Sequence, residues 1–181
     1  MGLPTWVTIS RLLAVPWLLI LLPQATTSSQ WWSLGIFLVA AGTDWLDGYL
    51  ARRLNQVTEL GKFLDPLVDK LLVMAPLLVL LEMQQVPAWA VFLILGRELA
   101  IAGWRVTPTS SPSPIQGANL WGKTKTVMQI VAIALLIAPL SPAWDLTTAI
   151  SFWLAVALTL VSGITYLLPT SAAPTTSANK V

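Results

Sequence analysis

Four of the eight acidic residues of this chain fall within a single short stretch: Asp44, Asp47, Asp65 and Asp69. On a helix, Asp44, Asp47, Gly48, Ala51 and Arg52 stand at i, i+3, i+4, i+7 and i+8 and share one face. Gly61, Asp65 and Asp69 stand at i, i+4 and i+8 and share another. Carboxylates gathered in one place repel one another, and divalent cations relieve that repulsion. The chain has no histidine and no cysteine, so His-based acid–base catalysis, thiol nucleophiles, disulfides and thiolate or imidazole metal sites are excluded. The available ligands are oxygens, which suit Mg²⁺, Mn²⁺ or Ca²⁺ and not metals that prefer sulfur or nitrogen. Gly48 and Ala51 leave room for a ligand beside the acids, and Arg52 supplies a fixed positive charge suited to a phosphate. Metal, space and cation together describe a phosphate-ester or pyrophosphate site, with the metals drawing charge off a leaving phosphate.

The elements that must carry these residues are apolar. Of 181 residues, 56% are hydrophobic and only 10% charged, against about 25% charged in soluble domains. Ten tryptophans against two tyrosines fit a chain with many membrane-interface anchors. A net charge of +2 gives no case for a nucleic-acid partner. A helix needs about 20 apolar residues to cross a bilayer, and six segments qualify, at roughly 10–23, 31–51, 63–81, 87–105, 120–138 and 146–168. The first is short and follows Thr5–Arg11, read as a possible interfacial turn; no cleavage region follows a basic start, so it is not a cleavable signal. The connectors Pro23–Gln30, Glu82–Val86 and Ala138–Asp145 carry almost no charge. Arg11, Arg52, Arg53, Lys62, Arg105, Lys123 and Lys180 lie on the other side, which the positive-inside rule assigns to the cytoplasm. The expected fold is all-α: a polytopic membrane protein with six transmembrane helices in one bundle and both termini cytoplasmic. Residues 1–169 form the membrane domain. Thr107–Pro114 reads as a flexible loop, and 170–181, rich in Ser, Thr, Ala and Pro, as a disordered tail.

An ionised carboxylate on a membrane helix costs ~2.5–3.5 kcal/mol or more, so each aspartate needs a partner or a polar cavity. The plain structural explanation is that the acids form ion pairs with Arg52, Arg53, Lys62 and Lys70 and only fasten helices together. Four acids on two faces joined by a short turn, with small residues beside them, favour a ligand site instead. A cation-moving or cation-binding protein without catalysis is a further alternative, but a transporter needs acids spread over the bilayer depth, and these cluster toward one end.

The stretch Asp44-Trp-Leu-Asp47-Gly48-Tyr-Leu-Ala51-Arg52, followed by Gly61-Lys-Phe-Leu-Asp65-Pro-Leu-Val-Asp69, resembles the complete signature of the CDP-alcohol phosphatidyltransferases. That signature is D-x2-D-G-x2-A-R, eight residues, then G-x3-D-x3-D, and every fixed position is present. The resemblance implies six transmembrane helices, a homodimer and a two-metal site at the cytoplasmic face of the inner (plasma) membrane, using Mg²⁺ or Mn²⁺. It implies transfer of a phosphatidyl group from CDP-diacylglycerol, or of a phosphoalcohol group from a CDP-alcohol, to an acceptor hydroxyl, with release of CMP. Carried over by position, Asp44, Asp47, Asp65 and Asp69 hold the metals, and Asp69 also acts as general base. Gly48, Ala51, Arg52, Thr58 and Gly61 are the implied CDP-diacylglycerol contacts.

The acceptor has to be read from the other polar residues. Arg97-Glu98 interrupts the fourth span, with Arg105 two turns along the same face as Arg97, and Gly122-Lys123-Thr124-Lys125-Thr126 opens the fifth. Arg97, Arg105, Lys123 and Lys125 form a cationic set suited to an anionic acceptor such as a polyol phosphate. For the last three, ordinary positive-inside flanking is an equally good explanation. Arg97 lies deeper, and Glu98 is read as pointing to a different face, so Arg97 requires an internal partner. The segments Leu3–Arg11, Gly96–Arg105 and Gly122–Gln129 resemble the bacterial branch of the family that uses glycerol 3-phosphate and makes phosphatidylglycerophosphate. The resemblance runs from about residue 3 to 138 and fades in the last span. An inositol-phosphate or cardiolipin-type acceptor is the alternative within the family.

Overall fold

The computed structural model describes residues 3–54, 59–106 and 120–167. Thr58, the Thr107–Pro114 loop and the tail boundary at 169 lie outside the described residues. Among those described, all regular structure is helical: α1 (Leu3–Leu21), α2 (Thr27–Leu54), α3 (Glu59–Glu82), α4 (Ala88–Val106), α5 (Leu120–Ile137) and α6 (Asp145–Leu167), with single 3₁₀ turns at Leu22–Gln24 and Pro142–Trp144. The all-α expectation holds, and six helices stand where six apolar segments were read.

Two boundaries differ. Thr5–Arg11 is not a separate turn but lies in the first turns of α1. Thr8 and Arg11 are buried there, and α1 packs along both α2 and α3, so polar contacts inside the bundle hold this stretch in helix. Helix α2 starts earlier than expected because Thr26 and Ser29 cap it reciprocally: the Ser29 amide donates to Thr26 Oγ1 at 3.2 Å and the Thr26 amide to Ser29 Oγ at 3.1 Å. This is a capping box with serine at the third helical position. Helix α3 ends in a Schellman turn, with the Gln85 amide on the Leu80 carbonyl and the Gln84 amide on the Leu81 carbonyl, both at 2.9 Å. Gln84 occupies the left-handed position there, with φ of 58°.

The apolar interior joins Leu18 and Leu22 of the first hairpin to Phe37, Leu77, Leu80, Val91, Ile94, Ile133 and Ile137. Packing runs α1 on α2 and α3, α5 on α6, α2 and α3, and α4 on α6. Polar groups are also inside: Arg11, Lys125, Gln129, Thr159 and Ser162 are all buried, while Trp17, Trp31, Trp32, Trp89, Phe92, Leu146 and Ile150 are exposed. A protein folded in water places these classes the other way round. Among the described residues, Pro142–Ile164 is long and apolar enough to cross a membrane by length and composition, while Thr8–Gln24 and Thr124–Ile137 are apolar but shorter.

Candidate functional site

The acidic motif sits on continuous helix, as its spacing requires. Asp44, Asp47, Gly48, Ala51 and Arg52 lie in the last turns of α2, and Gly61, Asp65 and Asp69 in the first half of α3. The two helices touch. Helices linked by the tight turns after α1, α3 and α5 run back along one another, so the end of α2, the starts of α3 and α5, and the ends of α4 and α6 all belong to one end of the bundle. The side chains of residues 44–66, and those of Arg105 and Lys123, lie outside the described ones. Their placement here is that of the helix backbone.

Asp69 is described in full. Arg11 Nη1 donates to its Oδ1 at 2.8 Å; the Arg11 side chain is 1% exposed and that of Asp69 44%. The guanidinium thus grips the carboxylate from within the bundle while the carboxylate still opens outward. Arg11 does not figure among the four cations read as structural partners, because 58 positions separate it from Asp69 and it was read only as a flanking charge. Its signal was present: Thr8 and Arg11 stand at i and i+3 in an apolar helix, which asks for a polar partner on a neighbouring element.

A second polar cluster joins α4, α5 and α6. Arg97 Nη2 donates to Ser162 Oγ at 2.6 Å, and Arg97 Nη1 lies 3.3 Å from Glu98 Oε1. Lys125 Nζ pairs with the same Glu98 oxygen. One turn deeper, Gln129 Nε2 donates to Thr159 Oγ1 at 3.2 Å, and that hydroxyl donates to the Ala155 carbonyl at 2.7 Å. The expected internal partner of Arg97 is therefore Ser162. The reading that sent Glu98 to another face is corrected: both side chains are long, and both lean toward the cleft where α5 and α6 meet α4. Of the expected cationic set, Arg97 and Lys125 come together; Arg105 lies two turns beyond Arg97 on α4 and Lys123 in the first turn of α5. Ser162, Gly163 and Thr159 give no signal in the sequence because they carry no charge and sit in a strongly apolar segment.

The donor set can be tested against a metal on its chemistry. Four carboxylates on two contacting helices, in a chain with no histidine or cysteine, offer only hard oxygen donors and fit divalent ions such as Mg²⁺ or Mn²⁺.

A helical bundle with an oxygen-donor acidic motif and a cationic cluster toward the same end has the chemistry to take a phosphorylated ligand and hard cations. The chain belongs to the CDP-alcohol phosphatidyltransferase family, whose family model matches residues 1–161. It is 44% identical over 135 residues to the CDP-diacylglycerol–glycerol-3-phosphate 3-phosphatidyltransferase of Bacillus subtilis, covering 72% of this chain and 69% of that one. It is 34% identical to the protein of the same name from Haemophilus influenzae, covering 92% and 91% of the two chains. For that of Pseudomonas fluorescens the identity is 36%, covering 92% and 89%.

Proposed function

We propose that this chain transfers the phosphatidyl group of CDP-diacylglycerol to glycerol 3-phosphate, giving phosphatidylglycerophosphate and CMP. The observation that supports this reading is that the helix turns carrying the acidic motif on α2 and α3 lie toward the same end of the bundle as the Arg97–Glu98–Lys125 cluster. The first suits a diphosphate with hard cations; the second suits a second, anionic substrate. The names of the relatives supply the substrates.

Asp44, Asp47, Asp65 and Asp69 would hold two ions, Mg²⁺ or Mn²⁺, whose contribution is to offset the charge that develops on the departing CMP phosphate. Asp69 takes the proton of the acceptor hydroxyl, and the resulting oxygen attacks the β-phosphorus, the one bearing diacylglycerol. The bond from that phosphorus to the bridging oxygen breaks, and CMP leaves. Arg11 keeps the Asp69 carboxylate turned toward the opening. Gly48, Ala51, Arg52, Thr58 and Gly61 receive the CDP moiety. Arg97, Arg105, Lys123 and Lys125 receive the acceptor phosphate and bring its hydroxyl within reach.

The protein in this reading is a homodimer in the inner (plasma) membrane, crossing six times, with residues 1–169 as its membrane domain, 170–181 as its tail and the site facing the cytoplasm. The polar interior and apolar exterior support a lipid surrounding. The deciding assay is CMP release from CDP-diacylglycerol with glycerol 3-phosphate, inositol phosphate or no acceptor, with and without Mg²⁺ or Mn²⁺. Metal-dependent release with glycerol 3-phosphate is expected. Release with inositol phosphate alone would overturn the acceptor, and no release under any condition would overturn the enzyme.

A further inference from the structure

We infer that Ser162 and Gly163 of α6 are positioning residues that set the aim of Arg97, and through it the capture of the acceptor phosphate. The inference rests on the reading above, in which Arg97 meets glycerol 3-phosphate. Both residues lie just beyond the stretch matched by the family model, which ends at 161.

Contacts from α4 and α6 seat Arg97. Its Nη2 donates to Ser162 Oγ at 2.6 Å, a short bond from a charged donor to a hydroxyl that is itself 2% exposed. Its Nη1 faces Glu98. Its alkyl chain crosses α6 at Gly163, where a Cβ would stand 3.2 Å from Arg97 Cγ. A side chain at 163 would make the arginine stem give by a few tenths of an ångström, so the glycine lets the stem lie close against the helix. The helices that make this seat are also fixed to each other at a distance: Trp89 of α4 stacks on Trp153 of α6 with ring centroids 5.1 Å apart, about two turns before Arg97 and Ser162 on their respective helices. Both helices run the same way, so that clamp holds Ser162 level with Arg97. A guanidinium with several rotatable bonds is costly to immobilise when substrate binds. A seat formed beforehand removes much of that cost, and the gain should fall on the substrate that Arg97 touches and on no other.

The test is steady-state kinetics of the full-length protein in mixed micelles, varying each substrate separately. Ser162→Ala should raise the KM for glycerol 3-phosphate about tenfold, the size of one lost hydrogen bond to a charged group, while kcat and the KM for CDP-diacylglycerol move less than about twofold. Ser162→Thr, which keeps the hydroxyl, should restore most of the loss. Gly163→Ala should give the same split with a smaller amplitude, and it serves if Ser162→Ala cannot be extracted folded. On an Arg97→Ala background, Ser162→Ala should add nothing further, because the group it positions is gone. Equal changes in both KM values, failure of threonine to rescue, or additivity with Arg97→Ala would each overturn the inference. If Arg97→Ala leaves the acceptor KM unchanged in an active enzyme, the seat has no bearing on the acceptor, although the reaction stands. A wild-type protein that releases no CMP with glycerol 3-phosphate overturns the proposed function itself.

Discussion

At Asp69, two demands on one carboxylate are met from opposite sides. In the proposed reaction the base must reach substrate, and Asp69 is 44% exposed; it must also be aimed, and the buried Arg11 guanidinium holds one of its oxygens at 2.8 Å. Asp69→Asn keeps the shape but can neither take a proton nor balance cation charge. It should lower CMP release by about two orders of magnitude or more while the protein remains extractable and melts normally. Arg11 tests the aiming. Arg11→Lys preserves the charge but not the planar fork, whereas Arg11→Ala removes both, so turnover should rank wild type, then lysine, then alanine. Equal loss in the two variants would mean that charge at position 11 is irrelevant and only guanidinium geometry matters. Retained activity in both would remove Arg11 from the account.

Helices carry information of a different kind, much of it local and so legible in the chain. The periodic placement of Asp44 to Arg52 and of Gly61 to Asp69 predicts continuous helix at both places, and α2 and α3 supply it. Six apolar segments predict six helices because hydropathy and length are properties of each segment alone. What could not be read depends on which helices become neighbours. Arg11 meets Asp69 through the packing of α1 on α3, and Arg97 meets Ser162 through that of α4 on α6; no spacing rule encodes either pair. Thr5–Arg11 is helix rather than an interfacial turn for the same reason, since Arg11 is held by Asp69 of a helix far along the chain. The Schellman turn that ends α3 offers an element-scale test. Gln84 sits at φ of 58°, where a side chain costs ~1–2 kcal/mol and glycine none, part of the gain being offset by glycine's greater freedom in the unfolded chain. Gln84→Gly should therefore stabilise the detergent-solubilised protein by about 0.5–1 kcal/mol, read as a rise in Tm with unchanged kcat. A fall in Tm would mean that the Gln84 side chain makes a contact worth more than the strain.

Among the described residues, Arg11 and Lys125 lie inside while the tryptophans lie outside, an inversion that suits a chain surrounded by lipid. It does not by itself fix the number of crossings: Pro142–Ile164 alone is long and apolar enough to span on its own among the described residues. Helices α2 and α3 run for 28 and 24 residues and carry the acidic motif within that length. Burial of polar groups such as Arg11, Lys125 and Gln129 inside the bundle allows the helices that carry them to cross, because such groups meet protein rather than hydrocarbon. The two topologies differ in a way this chain is well suited to report, since it contains no cysteine. Six crossings put the turn after α3 and the turn before α6 on the outer face, and the α2–α3 and α4–α5 connections on the inner face. Single cysteines at Gln85 and Ser141 should then react with a membrane-impermeant maleimide in intact cells, and those at Gln56 and Ser110 only after permeabilisation. A chain that crossed at α6 alone would leave positions 56, 85 and 110 on the same face, all labelled together or all protected together. That outcome would overturn the six-span reading and, with it, the placement of the acidic motif at the inner surface, where a water-soluble acceptor and a lipid-borne donor have to meet.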